Sequence, residues 1–231
     1  MVHLLFEQSG TFRDEFKKLG YEAECYDIQN EYRKTDNVCD LFDAIERSYD
    51  GQESILDRIE DGEIVFAFFP CTQFETQKTM WFRGINYAMK DWSDEKKLLY
   101  CLDLHKTLHF YYSLINKLVI LALKRNWHLV IENPYSEDHY LIRYYPIKPK
   151  LIDRDRRRDG DYFQKPTAYW FINFEPKCNL IMEPLELVKT RRVTNLAPNC
   201  KERSEIHPQY ARRFIMQYII DSDKIPNQTN S

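Results

Sequence analysis

Apolar and polar positions along this chain change period several times, and each change marks an element. Val2-His3-Leu4-Leu5-Phe6 reads as a first strand, and Ser9-Gly10 turns the chain. Phe12, Phe16 and Leu19 then recur at helical spacing from Thr11 to Leu19. Thr11 is the expected cap of this helix, Asp14 and Glu15 sit in its first turns, and Gly20 stops it. Glu22 to Ile28 predicts a second strand ending on Asp27-Ile28, followed by helical patches around Leu41 to Arg47 and Ser54 to Ile59. The run from Glu63 to Phe69 is a very apolar strand. Residues 75–92 show no clean period and read as a long functional loop. From Ser93 to Arg125, Leu98, Leu102, His105, Leu108, Tyr112, Ile115, Leu118 and Leu121 recur at three- and four-residue steps, which predicts one long helix. Residues 128–131, with the apolar run Leu129-Val130-Ile131, and Thr167 to Asn173 predict further strands, and Pro208 to Ile220 a closing helix.

The order β-α-β, β-α-β predicts an α/β fold with a mostly parallel sheet and helices on both faces. We expect one domain over residues 1–222 and a polar, flexible tail over 223–231. No apolar run approaches the roughly 20 residues that span a bilayer. The first residues lack the basic and apolar regions of a secretory signal, so a cytoplasmic location is expected by elimination. The six cysteines are scattered, without a C-x-x-C pair or zinc spacing, and neither disulfides nor a metal site is expected. The net charge of −3 is unhelpful to a duplex-binding reading. Two basic runs, at 150–158 and 189–192, are expected to be solvated surface, though local patches of this kind can bind phosphate.

Two motifs carry chemistry. Phe69-Pro70-Cys71-Thr72 places a thiol just past one apolar strand, and Ile131-Glu132-Asn133-Pro134 places a carboxyl group just past another. Open α/β sheets hold ligands at the carboxyl ends of their strands. A thiolate that attacks an electron-poor ring carbon, with a carboxyl group answering the charge on the ring nitrogen, suits this pair. Asn133 and Pro134 are expected to shape the turn that aims Glu132. Asp27 at a strand tip suits ribose hydroxyls, and Gly10 answers a positive φ or a close approach of a ligand.

The order of these motifs resembles the catalytic core of cytosine-5 DNA methyltransferases. It is similar, in particular, to short phage and prophage methyltransferase-like proteins. Phe6-Glu7-Gln8-Ser9-Gly10 stands where the family has its Gly-rich S-adenosylmethionine loop. Tyr26-Asp27-Ile28 matches the ribose segment, Cys39-Asp40-Leu41 the segment facing the adenine, and Pro70-Cys71 the nucleophile motif. Gln164-Lys165-Pro166-Thr167 and the stretch from Glu202 to Pro208 are similar to the C-terminal part of the short phage proteins. The resemblance implies a Rossmann-like methyltransferase fold that binds S-adenosylmethionine through Phe6, Glu7, Ser9, Gly10, Asp27, Ile28, Asp40 and Pro70. It implies catalysis by Cys71, Glu132 and Asn133, and substrate contacts from Thr72, Trp81, Arg83, Lys165 and Thr167. Glu7 is expected to meet the cofactor's ammonium or to face water.

Three departures shape the expectation. Gly10 alone remains of the loop glycines, Phe69 replaces the first proline of Pro-Pro-Cys, and there is no room for a target-recognition domain. The expected partner is therefore nucleic acid, DNA first, with a pyrimidine nucleotide or RNA as the alternative. A second alternative is a non-enzymatic phage-like descendant that binds DNA or a host defence protein.

Overall fold

A computed structural model describes residues 1–189 and 205–225 of the chain. Seven strands form one sheet: β1 (Val2–Leu5), β2 (Ala23–Asp27), β3 (Asn37–Val38), β4 (Ile64–Ala67), β5 (His128–Pro134), β6 (Leu151–Asp153) and β7 (Thr167–Ile172). Their order is β3-β2-β1-β4-β5-β7-β6. Strands β1 to β5 run parallel, whereas β7 is antiparallel to both of its neighbours. The expected mostly parallel α/β sheet is present, with this antiparallel strand added. Its cause is the β6–β7 connection, which holds only a short 3-10 turn (Arg156–Asp159) and no crossover helix.

The helices are α1 (Thr11–Lys18), α2 (Leu41–Tyr49), α3 (Thr76–Phe82), α4 (Asp94–Lys124), α5 (Tyr140–Tyr144) and α6 (Pro208–Phe214), the last continuing as a π-turn over Ile215–Ile219. Strand side chains alternate between two cores. Leu5, Val65, Ala67, Leu129 and Ile131 pack with α2 and α4 on one face. Val2, Leu4, Phe66 and Val130 pack with α1 and α6 on the other. Helices thus cover both faces, as the sequence order predicts.

Several local expectations change. The patch at 54–59 is a 3-10 turn (Ile55–Arg58) closed by a Ser54–Asp57 capping box. The loop at 75–92 contains α3 and a 3-10 turn (Tyr87–Met89). Thr11 is not the cap of α1; Gly10 holds that position at φ 68°, and Oε1 of Glu7 accepts from the Phe12 amide at 2.8 Å. Leu98, Leu102 and His105 of the predicted α4 stripe are exposed, and burial begins at Leu104. A helix of 31 residues is about 46 Å long and overhangs strands of at most seven residues, so its first turns have no sheet beneath them. Among the described residues, no helix is long and apolar enough to cross a membrane.

Candidate active site

Strand order reverses between β1 and β4, and the loops leaving them part to open a cleft of about 450 Å³ at the carboxyl ends. Each parallel strand brings one group of lining residues. Phe6 to Ser9 follow β1, Asp27 and Ile28 end and follow β2, Asp40 precedes α2, Phe68 to Cys71 follow β4, and Glu132 lies within β5. Lys165, Glu205 and Ile206 close the side towards β7. Ten of the residues expected at a cofactor, catalytic or substrate site therefore meet in one cleft: Phe6, Glu7, Ser9, Asp27, Ile28, Asp40, Pro70, Cys71, Glu132 and Lys165.

Aromatic rings and carboxyl groups dominate the walls. Phe6, Phe42 and Phe69 form a mutual cluster with ring centroids 5.4–6.4 Å apart. Phe6 holds φ 61°, a strained conformation for a bulky residue, where the chain leaves β1 for the cleft. Glu7, Asp27, Asp40, Glu132 and Glu205 line the cleft, and Lys165 is its one cationic lining residue among those described. Asp27 is half-buried, which raises its pKa, while the Gln29 amide donates to it at 2.8 Å. Asp40 caps α2, accepting from the amides of Phe42 and Asp43. Glu7 neither faces water nor points freely into the cleft. Its oxygens take the Phe12 amide and, at 3.2 Å, the Cys25 thiol, and burial raises its pKa.

Cys71 sits at the cleft edge with its thiol donating to Oε1 of Glu75 at 3.0 Å. Burial, then the Glu75 contact, push its pKa well above that of an ordinary thiol, while Lys165 pulls the other way. Glu132 lies one register step beyond the Ala67–Ile131 pair, so the adjacent strand carries its carboxyl group beside the loop that bears Cys71. Asn133 is buried and does not line the cleft. Its amide donates to the Phe69 carbonyl at 2.9 Å and to the Glu132 carbonyl at 2.7 Å, tying the two loops together. Asn133 and Pro134 lie within β5, paired with Ala168 and Thr167, and so do not form the expected turn.

Five other expected residues lie off the cleft. Gly10 is buried beside it, where the positive φ alone accounts for glycine. Thr72 and Arg83 are exposed, and Trp81 packs on Tyr100 at 5.4 Å because α3 carries it towards α4. Thr167 is buried opposite Pro134 and donates to the Lys165 carbonyl at 2.9 Å, a strand-starting contact. Residues 190–192, Cys200, Glu202-Arg203-Ser204 and 226–231 lie outside the described residues.

The basic run at 150–158 hides a residue that sequence reading misplaces. Arg156 is fully buried, ion-paired to the equally buried Asp161, 3.9 Å from the Glu132 carboxyl and 4.7 Å over the Tyr210 ring. Burial lowers its pKa, but the neighbouring Tyr210, Asp161, Tyr169 and Glu132 outweigh this and the net shift is upward. Asp161 also accepts from the amides of Tyr162 and His207, fastening the start of α6 to the site. Gly160 suits this position because it holds φ 88°, a backbone conformation that L side chains rarely adopt. Glu75 is the other residue that sequence reading overlooks. A carboxylate four residues after a cysteine, ahead of a short helix, was the available signal.

The Cys71 loop is also tied to the segment after β5, through Tyr140 N to Phe74 O at 2.9 Å and Thr76 Oγ1 to Ser136 Oγ at 2.5 Å. His139 lies in this joint, 1% exposed, and neither ring nitrogen has a hydrogen-bond partner among the described residues. Burial lowers its pKa to about 4. The unfolded chain therefore takes up a proton below pH 6.5 that the folded chain refuses until about pH 4, and stability falls across that window. The difference corresponds to about 3 kcal/mol. Urea titrations at pH 7 and pH 4 are expected to show His139→Phe losing about 3 kcal/mol less than the wild type.

Among the described residues, no group of three or more His, Cys, Asp or Glu is placed to hold a metal ion, and five cysteines are free. No protein-family model matches this chain, and no curated protein matches it.

Proposed function

We propose that this chain is an S-adenosylmethionine-dependent methyltransferase with a Rossmann-like fold, acting at carbon 5 of a pyrimidine, cytosine in DNA first, through Cys71. The observation that carries this reading is the meeting of Cys71 and Glu132 in one cleft with Asp27 and Asp40. The walls fit the cofactor's chemistry: a sulfonium and an ammonium group suit carboxylates and aromatic faces, and a purine suits the Phe6–Phe42–Phe69 cluster. Asp27 would hold the ribose hydroxyls, the Phe6–Ser9 loop the methionine portion, and Asp40 with Leu41 the adenine edge. When bound, the cofactor supplies the methyl electrophile.

The chain's own groups do the rest. Sulfur of Cys71 adds to ring carbon 6, which makes carbon 5 nucleophilic. Glu132 hydrogen-bonds the ring nitrogen that takes up charge, and Asn133 keeps the two loops in register. Loss of the carbon 5 proton and cleavage of the sulfur–carbon bond then free the thiol. The acid lining keeps phosphate out of the cleft, so the base enters alone, extruded from a stack or carried on a single strand or nucleotide.

One observation favours a second reading, a non-enzymatic descendant: burial and the facing Glu75 carboxylate both disfavour the Cys71 thiolate. Calorimetry separates the two. The protein is expected to bind S-adenosylmethionine with a Kd near 1 μM, about −8 kcal/mol. Asp27→Ala is expected to weaken binding by about 1.5–3 kcal/mol, as the loss of charge-assisted hydrogen bonds would. Absence of heat and of thermal shift at millimolar cofactor would exclude the enzyme.

A further inference from the structure

We propose that Glu75 is the catalytic base that takes the Cys71 proton as sulfur bonds to the pyrimidine. This role rests on Cys71 being the nucleophile proposed above.

Glu75 occupies the N-cap position of α3, yet its carboxylate makes no capping bond to that helix. Asp40, in the same position on α2, spends its carboxylate on the Phe42 and Asp43 amides. Glu75 instead turns back to the Cys71 sulfur at 3.0 Å, helped by the tight turn in which the Phe74 amide donates to the Cys71 carbonyl at 2.8 Å. The thiol has no other hydrogen-bond acceptor among the described residues. Lys165 has no acceptor capacity as an ammonium, and Glu132 is assigned to the ring nitrogen.

A carboxylate beside the thiol has two consequences. It opposes a preformed thiolate, because two negative charges would then face each other. It also stands ready to receive the proton once sulfur's electrons are drawn into a carbon bond. The transfer is therefore concerted. The S–H bond breaks towards Glu75 Oε1, a sulfur lone pair forms the bond to carbon 6, and the ring double-bond electrons move towards carbon 5 and the ring nitrogen. On elimination the sulfur–carbon bond breaks, the carbon 5 proton leaves to solvent, and Glu75 returns its proton to sulfur. Glu75 is neutral only while sulfur is covalently engaged.

The two consequences give opposite signs on removing the carboxylate, which makes the role testable in the full-length protein without cofactor. Iodoacetamide labelling of Cys71, followed on its peptide by mass spectrometry, is expected to accelerate at a pH lower by about one unit or more in Glu75→Gln. Exchange of the cytosine carbon 5 hydrogen in D₂O, which requires reversible addition at carbon 6, is expected to slow about 10²–10⁴-fold in the same variant. Formate added to Glu75→Ala is expected to restore part of that exchange, which a merely structural residue would not allow. An unshifted labelling profile, or exchange as fast as in the wild type, would overturn the role of Glu75 while leaving the methyltransferase reading intact. Wild-type protein that binds cofactor but exchanges none of DNA, RNA or nucleotide would overturn the pyrimidine chemistry, and the role of Glu75 with it.

Discussion

Arg156→Met is expected to lower folding stability by about 3–5 kcal/mol, because it strands the Asp161 carboxylate in a site with no solvent. The side chains have similar length, so packing is largely kept and the effect reads the uncompensated charge. Urea titration at pH 7 checks it. Replacing both partners, Arg156→Met with Asp161→Leu, is expected to recover most of the loss, since an apolar pair carries no desolvation cost. If the double variant is as unstable as the single one, Asp161 matters through its bonds to the Tyr162 and His207 amides rather than through the ion pair. The prediction reaches the site because Arg156 is also the cation beside Glu132. A chain without it is expected to lose the electrostatic setting of that carboxyl group as well as stability.

The strongly periodic elements were legible in the sequence. Strands β1, β2, β4 and β7 and helices α1 and α4 fall within two residues of their expected bounds. Strands β3 and β6 hold two and three residues, too few to show a period, and α3 and α5 are seven and five residues long. The antiparallel placement of β7 depends on which strand it meets across space, a tertiary choice that period does not encode. At the site, residues near the carboxyl end of a strand were legible, because strand ends converge by topology. Cys71, Glu132, Asp27 and Phe6 are of this kind. Residues carried by an intervening element were not. Trp81 and Arg83 leave the cleft because the segment after Cys71 coils into α3 and directs them to α4 and to solvent. Arg156 sits among six other charged residues from 153 to 159, and that composition describes a surface. Only the return of α6 over the β6–β7 connection seals it in the interior.

Covalent capture at Cys71 carries the largest expected effect. With an ordinary pyrimidine the methylated adduct collapses, because the carbon 5 proton leaves and its electrons expel the sulfur from carbon 6. With fluorine at carbon 5 no such proton exists after methylation, and the adduct persists. Cys71→Ser is expected to abolish capture, since a serine hydroxyl is far less ionised and less nucleophilic near neutral pH. Glu132→Gln keeps the β5–β7 pairing opposite Tyr169 and a similar side-chain volume. It is expected to slow capture about 10²–10⁴-fold, with cofactor affinity nearly unchanged.

Mass spectrometry of the Cys71 peptide after incubation with S-adenosylmethionine and a 5-fluorocytosine substrate is the most direct measurement. Single-stranded DNA, duplex DNA, RNA and the free nucleotide should be supplied in parallel. The proposed function predicts a methylated fluoropyrimidine joined to Cys71 from at least one of the four, and none from Cys71→Ser. Cofactor binding without an adduct from any of them would contradict it.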